Sequence, residues 1–150
     1  MSRRKVIFAS LAIVGTLALS GCNVGIQAAP KAAPAPAAST TDTMTCTGFN
    51  DVLTIISNAD AGLRDGRMAT QEQEGWHRLA TRVLDGVPTR EEGVVSEAAV
   101  ALKNLAPAIN LGAMDSTPIG SEEWNRGLQE LSNACTEANV ETAVEMFTGG

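Results

Sequence analysis

Along residues 46–147 the apolar positions recur at helical spacing, and the period-two alternation of a half-buried strand is absent. From Cys46, the positions Phe49, Val52, Leu53, Ile56 and Leu63 share one face, and Gly66 stands where that helix should stop. Thr70-Gln71-Glu72-Gln73 has the form of a capping box, whose hydroxyl and amide satisfy the first free N–H groups of a second helix. Its buried stripe is read as Trp76, Leu79, Ala80, Val83 and Val87, with Gly86 and Pro88 ending it. Thr89-Arg90-Glu91-Glu92 repeats the capping pattern and opens a third helix on Val94, Val95, Ala98, Leu102, Leu105 and Ile109. Pro107 interrupts that stripe: it lacks a backbone donor and its ring collides with the carbonyl of Lys103, so a kink or an early end is expected. After a loop over residues 112–120, Ser121, or Thr117 followed by Pro118, caps a fourth helix. Its stripe is Trp124, Leu128, Leu131, Cys135 and Ala138, and the same spacing continues through Val140, Val144 and Phe147.

Short connections between four helices favour antiparallel neighbours, so the expected fold is all-α, a small up-down-up-down four-helix bundle over residues 45–150. Residues 22–44 differ in kind. They are rich in Ala, Pro, Ser and Thr, include Pro30, Pro34 and Pro36, and offer almost no large apolar side chain, which predicts a disordered tether.

Upstream, Arg3, Arg4 and Lys5 precede an uncharged apolar run over residues 6–19, the pattern of a signal peptide. A helix that crosses the hydrocarbon core needs roughly 20 apolar residues, more than this run provides. Leu19-Ser20-Gly21-Cys22 then resembles the lipobox of bacterial lipoprotein precursors. The resemblance covers residues 1–22 only. It implies that residues 1–21 are removed between Gly21 and Cys22, and that the Cys22 thiol carries a diacylglyceryl group that anchors the protein to the membrane. Two acyl chains make a stable anchor, whereas one is marginal at about 0.8 kcal/mol per buried CH₂. A later cut beside Ala29 would place Pro30 next to the scissile bond, far beyond the apolar run. Ser2-Arg3-Arg4-Lys5-Val6-Ile7 also resembles a loose twin-arginine export motif, against the simpler and preferred reading of an ordinary basic leader.

Removal of the leader changes the charge. The chain has 11 Lys plus Arg and 17 Asp plus Glu, so loss of Arg3, Arg4 and Lys5 leaves side chains summing to −9. Such a surface repels nucleic acid and anionic headgroups, which sets aside nucleic-acid binding and leaves membrane attachment to the lipid. With Cys22 acylated, Cys46 and Cys135 remain as an even pair in an oxidising compartment, and a disulfide between them is expected. In the bundle they would occupy the start of the first helix and the end of the last, which lie side by side.

The candidate chemistry is sparse. His77 is the single histidine, expected on the flank of the second helix as a solvated or capping group; Met68 nearby leaves only a weak case for an axial haem ligand. Glu91, Glu92, Glu122 and Glu123 suit first helical turns, where they complement the helix dipole. Glu122, Arg126 and Glu130 are spaced four apart and read as a solvated, salt-linked face. Residues 115–145 hold seven acids against one base, a solvated face or a docking surface for a basic partner. Gly75, Gly93 and Gly127 fall within the expected helices at a cost of about 1 kcal/mol each, which either permits close helix approach or is merely tolerated. No catalytic set, metal site or cofactor is predicted. The expectation is a non-enzymatic lipoprotein that contacts a protein or envelope partner; the alternative is a carrier of haem, a metal or a lipid inside the bundle.

Overall fold

A computed structural model describes residues 38–90 and 92–147, and over these the chain is all-α. Its helices are α1 (Thr40–Arg64), α2 (Thr70–Gly86), α3 (Val94–Leu105) and α4 (Glu122–Glu137). Residues 140–147 form a non-helical C-terminal segment.

α1 begins ahead of the expected domain boundary at residue 45, so part of the presumed tether is helix. Ser39 Oγ accepts the Asp42 N–H at 3.1 Å while Asp42 Oδ2 accepts the Ser39 hydroxyl at 2.7 Å, a capping box in a segment whose composition suggests disorder. Arg90 Nη2 then donates to Asp42 Oδ1 at 2.9 Å and ties this first turn to the segment before α3. At the other end Gly66, at φ 71°, lets Arg67 N–H return to the Gly62 carbonyl at 2.9 Å, the stop its position predicted.

α1 and α2 pack antiparallel, with Gly48 against Val87 at one end and Asp60 against Gln73 and His77 at the other. α3 packs on α4 where Gly127 meets Leu102 and Leu105. The two pairs are joined by the predicted disulfide, Cys46 to Cys135, whose Cα atoms lie 5.8 Å apart and whose side chains are fully buried. Phe49, Val52, Leu84, Leu102, Trp124 and Leu131 fill the core between them. Bridging residues 89 apart stabilises the fold by at most about 4 to 5 kcal/mol in the chain-entropy model.

Four local expectations are corrected. Thr70 is the first helical residue of α2 rather than its cap; Ala69 holds the cap position without a side-chain bond, and Gln73 turns away to Asp60. α3 starts at Val94 behind Gly93 at φ 122°, not at the Thr89 box, and the Ser96 hydroxyl instead accepts the Arg90 N–H at 2.8 Å. The stripe of α2 is rotated: Ala80, Thr81 and Leu84 are buried, whereas Trp76 and Leu79 are exposed because α1 covers only part of the apolar face. α3 itself ends at Leu105, two residues before Pro107, the early end that this proline predicts, so Ile109 of the expected stripe lies outside the helix.

The fourth correction concerns the C-terminus. α4 does not run on through Val140, Val144 and Phe147. Asn139 at φ 58° sends its N–H to the Thr136 carbonyl and Val140 N–H to Cys135, so the helix closes on itself and the chain leaves.

Candidate functional site

Gly21 and Cys22 lie outside the described residues, as does most of the tether. Among the described residues no helix is long and apolar enough to cross a membrane, and no cluster of three or more His, Cys, Asp or Glu could hold a metal ion. The charged side chains singled out on α4 are not linked, since Arg126 makes no ion pair among the described residues.

Two clefts flank α2. The polar one, about 630 Å³, lies between α1, α2 and the loop after α3. His77 lines it from within α2, and its side chain is only 13% exposed, so it is not the solvated or capping histidine expected from its place in the sequence. Its Nε2 lies 2.9 Å from Asp60 Oδ1, and the same oxygen accepts Gln73 Nε2 at 2.7 Å. Gln73 and His77 stand one turn apart on α2 and so converge on one α1 carboxylate. Arg78, next along α2, donates through Nε to the Asp115 carbonyl at 2.9 Å and holds the opposite wall. The result is an Asp–His pair braced on two sides, with Ser116 and Thr117 on the facing loop.

The second cleft is an apolar slot of about 320 Å³ on the other flank, lined chiefly by Ile55, Ala59, Met68, Trp76 and Phe147, with Arg67 among its walls. Trp76 is 42% exposed and Phe147 66%, an unusual setting for the largest side chains of a chain with so few aromatics. On the same C-terminal segment as Phe147, Val144 and Met146 are also exposed.

Phe147 reaches this slot because the C-terminal segment lies along α1. Asn50 Nδ2 donates to the Glu141 carbonyl at 3.3 Å, and Asn50 Oδ1 accepts the Ala143 N–H at 3.1 Å. Asn58 repeats the clamp, donating to the Glu145 carbonyl and accepting the Phe147 N–H, both at 2.7 Å. Between them Thr54 Oγ1 accepts the Glu145 N–H at 3.1 Å. Four residues of helix rise about 6.0 Å and two residues of extended chain about 6.6 Å, so a helical i, i+4, i+8 row matches alternate residues of an extended strand. The polar residues Asn50, Thr54 and Asn58 were not singled out by the sequence reading; their spacing of four was the available signal.

No protein-family model, no curated protein and no solved structure matches this chain.

Proposed function

We propose that this protein is an exported lipoprotein, held on the extracytoplasmic face of the cell membrane by an acylated Cys22, whose helical domain is a non-enzymatic binding module for a protein or envelope partner. The observation that carries the binding role is the apolar slot lined by Ile55, Ala59, Met68, Trp76 and Phe147, at which Trp76 and Phe147 stay exposed. Clustered apolar surface of this kind marks an interaction site, whereas scattered single residues do not. The lipobox resemblance and the Cys46–Cys135 disulfide support an oxidising location outside the cytoplasm.

A carrier that holds its ligand within the bundle is less favoured, since Phe49, Leu84, Leu102, Trp124 and Leu131 fill that interior and are fully buried. The polar cleft at Asp60 and His77 is a secondary contact surface in this reading.

Anchoring and binding are tested separately. Intact mass of the detergent-extracted protein should give a chain starting at an acylated Cys22, and Cys22→Ala should leave the membrane fraction. A photo-crosslinking amino acid placed at Trp76 in intact cells should capture an envelope component; a crosslinking pattern equal to that of a probe at exposed Glu72 would refute the binding role.

A further inference from the structure

We propose that the Asn50–Thr54–Asn58 row of α1 and the adjoining apolar slot form a seat for an extended segment of a partner polypeptide, and that residues 141–147 are its resident, displaceable occupant. The inference rests on the binding-module reading above and names the class of partner.

Three observations carry it. First, every bond between the row and the segment goes to main-chain N–H or C=O groups, at Glu141, Ala143, Glu145 and Phe147, and none to a side chain of the segment. Asn50 and Asn58 each offer a donor and an acceptor from one amide, as a peptide unit does at a sheet edge. Any extended chain presents the same groups at the same repeat, so the row does not select this sequence over another. Second, the segment is lightly held. Its bonds to α1 are solvent-exposed, and Val144, Met146 and Phe147 keep much of their surface in water. Its side chains add the hydrogen bond of Thr142 with Ser132 of α4 and the edge of the slot at Phe147, and few buried contacts resist local opening. Third, the resident does not fill the site. Among the described residues nothing fills the slot beside Ile55, Met68 and Trp76, and Phe147 is 66% exposed. A peptide that carries a large apolar side chain at that register and inserts it into the slot would therefore hold on better than the tail.

The test uses the full chain. Ala143→Pro with Glu145→Pro removes two of the N–H donors of the resident segment and leaves every seat residue in place. A fluorescent peptide with the sequence of residues 140–150 should bind this variant at least about tenfold more tightly than the unaltered chain, because a tethered competitor acts at high effective concentration. The same peptide N-methylated at the amides of Ala143, Glu145 and Phe147 should not bind, nor should the parent peptide bind a variant that also carries Asn50→Leu and Asn58→Leu. No anisotropy change on a Pro variant that keeps its helical circular dichroism, or equal binding of the N-methylated peptide, would overturn the proposal. A dimer of the unaltered chain that disappears in the Pro variant would make the occupant a second copy and overturn assignment to a foreign partner. Because capture at Trp76 in cells does not depend on this peptide, failure here and failure of the binding role are distinguishable.

Discussion

Asp42 and Arg90, 48 residues apart in sequence, form an ion pair that joins the first turn of α1 to the segment before α3. Burial raises the Asp42 carboxyl, but the Ser39 hydroxyl and the Arg90 guanidinium outweigh it and hold the group below the ordinary carboxylate range. A carboxyl depressed in the folded state contributes stability above its unfolded value, about 3.9, and loses it as pH falls through the folded value. Asp42→Asn should therefore cost about 1 kcal/mol at pH 7, the scale of a lost cap, and should flatten the fall of the melting midpoint below about pH 4. Thermal melts of both proteins from pH 7 to pH 2.5 check this.

Gly127 and Gly75 should respond oppositely to alanine. A Cβ on Gly127 would lie 2.9 Å from Leu102 Cδ1 and 3.2 Å from Leu105 Cδ1, and Leu102 is fully buried with little room to yield. Overpacking of about 1 to 3 kcal/mol then exceeds the helix-propensity gain of about 1 kcal/mol, so Gly127→Ala destabilises. A Cβ on Gly75 meets nothing within 4 Å, and Gly75→Ala should stabilise by about 0.5 to 1 kcal/mol. Urea unfolding midpoints give both signs.

Removal of the disulfide should lower the melting midpoint by more than about ten degrees, since about 4 kcal/mol is a large share of the stability of a domain this size. Cys46→Ser with Cys135→Ser avoids a stray thiol. A shift within about two degrees would mean that the bridge is not structural.

Thr81 is fully buried on α2, where its hydroxyl donates to the Arg78 carbonyl at 2.8 Å and accepts the Ile109 N–H at 3.3 Å. Thr81→Val keeps the volume and orphans that N–H, so a loss of about 1 to 3 kcal/mol is expected. Amide exchange at Ile109 should quicken in the same variant if the hydroxyl holds the loop.

Helices were legible wherever one local rule decided them. Gly66 and Ser121 marked a stop and a start, and Pro107 limited α3, because each constrains its own backbone whatever lies around it. The Thr70 box failed where a competing partner existed: Asp60 of α1 takes Gln73, and no local pattern reports a residue on another helix. Trp76 shows the same limit, since a stripe tells which face is apolar but not how much of it a neighbour covers.

Taken alone, the sequence determined the helical class, the core positions Phe49, Val52, Leu102, Trp124 and Leu131, and the pairing of Cys46 with Cys135. Periodicity and composition carry that information because burial acts on every turn of a helix. Only the tertiary structure decided that residues 140–147 lie extended on α1 and that His77 meets Asp60. Val140, Val144 and Phe147 keep helical spacing, yet Asn50, Thr54 and Asn58 satisfy alternate main-chain groups of an extended chain instead. Bonds between segments some 90 residues apart leave no periodic trace in either one.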